Sequence, residues 1–328
     1  MIFRSLPWGV LFWGMLFVVA LPVTAQEVVS ESAAESVEEP VTSWSYPPEM
    51  PGATVETYRT VGDTELKAWI FQPKDHQPTA RRPAIVFFFG GGWNAGTPGQ
   101  FLPQCRHLAE RGMVAVSVDY RVKSRQGVFP QDCVRDAKAA VRWLRASADR
   151  LGIDPHRIAA GGGSAGGHLA AATALVPGFE DGDHTDVSSM PDALVLFNPA
   201  VALAPIEGAE NLFPPDKAAS IRERADGRPE EISPIGFVRS GLPPTIIFHG
   251  TNDDAVPFAS VELFRDRMTA AGNRCELKAY EGRPHGFFNP GRGQGQQRAA
   301  ATQDYYRTLR ELDMFLESLG YLQAAGER

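Results

Sequence analysis

The run Gly161-Gly162-Gly163-Ser164-Ala165-Gly166-Gly167 constrains this chain more than any other stretch. It joins the short apolar segment Ile158-Ala159-Ala160 to the Ala/Leu-rich segment 168–175. The first reads as a buried strand and the second as a helix. A chain that passes from strand to helix within so few residues must turn sharply, with one residue at the tip in a strained conformation. That residue is Ser164. Gly162 and Gly166 lack Cβ atoms, so strand and helix can approach closely on either side. The embedded pattern is G-x-S-x-G. In a flexible loop it would mean little, but between a strand and a helix it fits a nucleophile elbow.

The same alternation of strand and helix runs along the chain. Residues 55–61 and 66–71 read as an antiparallel hairpin turning at Gly62-Asp63, at one end of a sheet. Residues 84–89 are apolar throughout, as a strand covered on both faces must be. Helices are expected over 101–111, 131–151, 165–175, 260–271 and 303–319, and further strands over 113–118, 158–162, 193–197, 245–249 and 276–280. This order predicts an α/β fold with a mostly parallel sheet of about eight strands, helices on both faces, and ligands at the carboxyl ends of the strands. Residues 198–241 are rich in Pro, Gly and charge, with helical spacing only at 216–225, and read as a lid-like insertion over the sheet edge. No internal repeat is present.

The 328 residues are 43% hydrophobic and 22% charged, enough for one large core. Residues 1–25 stand apart from the fold. Arg4 is the only charge before Glu27, an apolar run covers 10–21, and Val23-Thr24-Ala25 ends it with a small-x-small pattern. This predicts a signal peptide cut after Ala25, with an uncleaved membrane anchor as the alternative. Residues 26–50 hold six Glu and no Lys or Arg, so they are expected to be a disordered acidic linker, with the catalytic domain over 51–328. The linker accounts for most of the net charge of −7 and leaves a nearly neutral body, which offers no footprint for nucleic acid. The three cysteines, Cys105, Cys133 and Cys275, lie far apart without C-x-x-C spacing, so no metal site is expected. Either two of them pair, or all three are buried thiols.

A serine hydroxyl needs a base to take its proton and an acid to orient that base. In such a sheet the candidates lie in loops after strands. Asp253 follows strand 245–249, and His285 follows strand 276–280 between glycines. Asp254 is the alternative acid, but is better suited to capping the next turn. Of the seven histidines, His76, His107, His156 and His184 are expected to be solvated, His168 to be packed, and His249 to brace the acid loop. Acyl transfer also needs donors for the developing oxyanion. Gly90-Gly91-Gly92 directly follows a buried strand, so the N–H groups of Gly91 and Gly92, with that of Ala165, are the expected oxyanion hole. Trp93 reads equally as a pocket wall or as packing.

Together, the Gly-Gly-Gly-Trp loop, the elbow, the His-Gly-x-x-Asp-x-x-Val-Pro loop and the final His-Gly-Phe resemble the α/β-hydrolases over about residues 55–320. They are most similar to the HGGG-type esterases, and among these to the bacterial acetyl xylan/feruloyl esterase-like (BD-FAE-like) branch. The family's His before the three glycines is Phe89 here, which removes a hydrogen bond that steadies the loop unless the Phe89 ring anchors it by burial. The resemblance implies a serine carboxylic-ester hydrolase with no cofactor, and the signal peptide over 1–25 implies that it is exported, secreted or periplasmic. It would act on a small-molecule or carbohydrate ester with a short acyl group, such as an acetyl or feruloyl ester of plant polysaccharide. The alternatives are an amidase, peptidase or formamidase on the same fold, or a binding module that keeps the hydrolase shell.

Overall fold

The computed structural model describes residues 44–209 and 212–324. In chain order the elements are β1 Thr54–Val61, β2 Thr64–Phe71, β3 Arg82–Phe88, α1 Leu102–Glu110, β4 Val114–Val118, α2 Lys123–Gln126, α3 Pro130–Ala146 and α4 Ala148–Leu151. They continue with β5 Ile153–Gly163, α5 Ala165–Leu175, β6 Ala193–Phe197, α6 Pro215–Arg224, β7 Thr245–Gly250, α7 Phe258–Ala270, β8 Cys275–Tyr280 and α8 Gln296–Ser318. The strands form one eight-stranded sheet in the order β1-β2-β4-β3-β5-β6-β7-β8. β1 and β2 pair antiparallel, as do β2 and β4, and every other pair is parallel.

Side-chain alternation along the central strands makes two cores. Val86 and Phe88 of β3 pack with α3 and α5 on one face, and Ile85 and Phe87 pack with α1 and α8 on the other. All of α5 is buried, which is why its sequence carries no polar stripe. From β3 the chain crosses to β4 on one side, and from β5 it runs through β6, β7 and β8 on the other. The carboxyl ends of β3 and β5 therefore flank the switch point where such sheets hold ligands. Phe88 pairs with Gly162, and Gly163 with Phe197, so the glycine loop after β3 and the chain after β6 both border the elbow.

The strands and helices fall where the pattern put them, with local differences. The helix expected over 131–151 breaks at Ser147 into α3 and α4, and β5 begins at Ile153, five residues before its apolar run. α8 starts at Gln296, ahead of any apolar periodicity, because Gln, Arg and Ala favour helix without a buried stripe. The insertion 198–241 lies where a lid is expected, with Leu203, Phe213 and Ile221 lining the same cavity as Ser164. It rises from the end of β6, an interior strand, and so stands over the catalytic end of the sheet.

The boundary of the acidic linker also needs correction. Residues 44–50 pack on the body: Met50 is buried in the core, Tyr46 donates from its hydroxyl to Asp119 Oδ2 at 2.5 Å, and the Arg125 guanidinium lies 3.7 Å from the Tyr46 ring centre. Residues 1–43, with the expected signal peptide and most of the linker, lie outside the described residues. No helix among the described residues is long and apolar enough to cross a membrane. All three cysteines are free thiols, so the pairing alternative fails. Cys105 and Cys133 sit in the two cores on opposite faces of the sheet, and burial pushes the Cys275 thiol up to about 12.

Candidate active site

At the end of β5 the backbone reverses through Ser164, at φ 56° and ψ −117°, a region that an L-residue enters only when its surroundings hold it there. The surroundings do so. The Ser164 N–H donates to Phe197 O at 2.8 Å, and its carbonyl accepts from His168 N at 2.9 Å. A Cβ on Gly166 would stand 2.0 Å from Phe88 O, and one on Gly162 would stand 2.4 Å from the Gly166 carbonyl group, so neither position admits a larger residue. The strain at Ser164 keeps its hydroxyl clear of both strand and helix.

That hydroxyl meets the chain after β8. Ser164 Oγ lies 2.9 Å from His285 Nε2, and His285 Nδ1 lies 2.8 Å from Asp253 Oδ2. The Asp253 side chain is fully buried. Its Oδ1 accepts from the N–H groups of Ala255 and Val256, at 2.9 and 2.8 Å. The residue capping this turn is thus Asp253 itself, whereas Asp254 points to solvent and lends only its backbone carbonyl to Lys217. Burial alone would raise the Asp253 carboxyl, but hydrogen bonds from His249 and His285 outweigh it and hold the group well below the usual carboxylate range. His249 braces the loop as expected: its Nε2 is 2.9 Å from Val256 O and 3.2 Å from Asp253 Oδ2.

Two residues that the sequence reading passed over complete this network. Asn198, directly after β6, donates from Nδ2 to Asp253 Oδ2 at 2.8 Å and accepts the Gly286 N–H at 3.2 Å. Gln100 accepts the Gly90 N–H at 2.6 Å and donates to Asn289 Oδ1 at 3.0 Å, tying the glycine loop to the segment after His285. Their one sequence signal is position: Asn198 follows a strand end, as Asp253 and His285 follow theirs.

Gly91 and Gly92 line the same cavity as Ser164, at φ 130° and 62°, and a Cβ on Gly91 would stand 2.0 Å from Ala95 O. The amide N–H groups of Gly91, Gly92 and Ala165 meet no acceptor among the described residues. Phe89 replaces the hydrogen bond of a histidine with ring burial. It is fully buried and stacks on Tyr120 with 4.1 Å between ring centres, while the Tyr120 hydroxyl donates to Phe89 O at 2.8 Å. Trp93 is both wall and packing: it borders the cavity, and its indole Nε1 donates to His168 Nδ1 at 3.1 Å. His168 in turn donates from Nε2 to Ile232 O at 2.7 Å, joining the glycine loop, the elbow helix and the insertion. Burial pushes its imidazole down to about 4, against the opposing pull of the Ile232 carbonyl. Of the histidines expected in water, His156 and His184 are exposed, but His76 bonds Leu151 O at 2.8 Å and His107 pairs with Asp313 at 2.9 Å, both half-buried.

The cavity over Ser164 has a volume of about 930 Å³. Trp93, Phe213, Leu203, Ile221 and Phe288 give it apolar walls, several of them from the insertion, and Trp44 closes one side. Among the described residues no group of His, Cys, Asp and Glu could hold a metal ion. A hydroxyl, an imidazole and a carboxylate in series, opposite unpaired amides in an apolar cavity, can carry out acyl transfer without one.

Residues 70–268 match the BD-FAE family model, and residues 232–316 match the model of the dienelactone hydrolase family. Among curated proteins, the chain is 30% identical over 212 residues to a probable carboxylic ester hydrolase, LipM, of Mycobacterium tuberculosis, covering 61% of this chain and 48% of that protein. It is 32% identical over 218 residues to the esterase LipQ of the same organism, covering 62% and 49%. The chain thus spans about half the length of these relatives. Among solved structures, esterase 2 of Thermogutta terrifontis with butyrate bound superposes with a TM-score of 0.79 at 50% identity, covering 86% of this chain and 100% of that one. The same esterase phosphonylated by sarin also gives a TM-score of 0.79 at 50% identity, covering 85% and 99%.

Proposed function

Because the chain belongs to the BD-FAE family of α/β-hydrolase esterases, we propose that it is a serine carboxylic-ester hydrolase. Ser164 Oγ attacks the ester carbonyl while His285 Nε2 takes its proton. The carbonyl oxygen, now an anion, accepts hydrogen bonds from the amides of Gly91, Gly92 and Ala165. The tetrahedral intermediate collapses, and His285 passes the proton to the leaving alcohol. Water then attacks the acyl-enzyme by the same route, with His285 as base, releasing the acid and restoring Ser164. Asp253 fixes the imidazole tautomer and stabilises the cation formed in each half. The observation that carries this reading is the unbroken relay of 2.9 and 2.8 Å from Ser164 through His285 to Asp253.

The substrate class we propose is short-chain esters, with acetyl or feruloyl esters of plant polysaccharide as the natural candidates. The family supports this, as does the Thermogutta esterase that binds butyrate. We also propose export, on the strength of residues 1–25, and a mature chain beginning at Gln26 in intact-mass measurement would support it. The deciding experiment is Ser164→Ala, which should lower kcat on p-nitrophenyl acetate by roughly 10⁶-fold if the three residues act as a unit. Near-normal turnover by that variant would overturn the reading. A matched ester and amide, with acetylated xylan in the panel, test the bond and the substrate.

A further inference from the structure

The body of this chain carries almost no net charge, yet its catalytic cavity is lined by Lys217, Arg224, Arg292 and Arg298 and, among the described residues, by no Asp or Glu. Neighbouring arginines show that this is not the local habit. Arg222 pairs with Glu230, and Arg228 pairs with Asp226 and Glu231. The guanidinium of Arg224, between them in sequence, has neither an ion pair nor a hydrogen bond among the described residues. Its Nη1 lies 3.2 Å from where a Cβ on Gly92 would stand, beside the loop that receives the carbonyl oxygen. Lys217, two helical turns earlier on α6, donates among the described residues only to the backbone carbonyl of Asp254, at 2.5 Å. Arg292 donates among the described residues only to the backbone carbonyl of His285, at 2.7 Å. Three cations that line one cavity, two from α6 and one from the chain after His285, thus meet no carboxylate among the described residues.

We propose that the cavity selects esters that carry a second, ionised acid group a few bonds from the scissile carbonyl, with Arg224 as the principal contact for that anion and Lys217 and Arg292 adding to the field. The inference rests on the esterase reading above. Neutral short-chain esters fill the apolar walls but leave these cations unused. A carboxylate on the substrate supplies the missing partner and is drawn to the cavity by the same field. Arg224 is exposed, so water and salt limit its effect, and the combined preference should be about tenfold rather than thousands. It should shrink as ionic strength rises.

The test measures kcat/KM at low ionic strength for two matched pairs: monoethyl adipate with ethyl pentanoate, and para-carboxyphenyl acetate with phenyl acetate. The first pair puts the anion on the acyl side and the second on the alcohol side. In the full chain the ionised member of one pair should be favoured, and Arg224→Gln, which removes the principal contact but leaves Lys217 and Arg292, should lower that ionised-to-neutral ratio about fivefold. Comparing ratios between the two proteins cancels the intrinsic reactivity of each ester. Ratios that are the same in both proteins, for both pairs, overturn the proposal while leaving the esterase reading intact. If no ester is turned over, the esterase reading falls, and calorimetric titration of Ser164→Ala decides the subsite alone. Tighter binding of monoethyl adipate than of ethyl pentanoate supports it, and equal binding overturns it.

Discussion

His168 makes the stability of this protein depend on pH in a way that can be calculated. Its ring is fully buried, with Nδ1 accepting from Trp93 and Nε2 donating to Ile232 O, so the folded chain holds it neutral. Burial lowers its pKa from 6.5 to about 4. Between those values the unfolded chain binds the proton and the folded chain does not, so stability is complete above about pH 6.5 and falls as the pH drops towards 4. The loss is about 2 kcal/mol at pH 5 and about 3 kcal/mol once both states are protonated. Protonation also removes the acceptor for the Trp93 indole, so the glycine loop loses its tie to the elbow helix. In His168→Gln the side chain can still reach Ile232 O but does not titrate. Urea unfolding at pH 7 and pH 5 should show the wild-type free energy falling by about 2 kcal/mol more than that of the variant. An equal fall in both proteins would refute the argument, because the proton would then be taken up elsewhere.

Three further substitutions test the frame around Ser164. Gly166→Ala puts a Cβ 2.0 Å from Phe88 O, where only backbone can yield, so it should cost more than about 3 kcal/mol or prevent folding, read by thermal unfolding and soluble yield. Asn198→Leu removes one charge-assisted bond to Asp253 and leaves the Gly286 N–H unpaired. It should lower kcat roughly 10- to 100-fold on p-nitrophenyl butyrate while KM changes little. Gln100→Ala frees the Gly90 amide and Asn289, and the loosened loop should lower kcat by about tenfold, with unfolding monitored in parallel to separate catalysis from stability.

Much of the fold is legible because strand and helix identity follow from local pattern. The apolar run 84–88 of β3 needs cover on both faces, and Ala165–Leu175, with only His168 and Thr173 polar and no polar stripe, suits a buried helix. The misreadings fall where pattern is weak. α8 begins in Gln, Arg and Ala that bury nothing, and residues 44–50 look like linker because their contacts, Asp119 and Arg125, lie about seventy residues on.

The sequence by itself determined the sharp turn at Ser164, since only glycine at 162 and 166 permits it, and the post-strand positions of Asp253, His285 and the glycine loop. Those are consequences of local sterics and of side-chain period. Only the tertiary structure decided which loops share a space. The order β3-β5-β6-β7-β8 brings Ser164, Asn198, Asp253 and His285 to one rim, and joins Gln100 to Asn289 across 189 residues of chain. It also turned the insertion over that rim, so that Arg224 stands beside Gly92. Such pairings depend on how strands are ordered and crossed, which no local stretch of residues encodes.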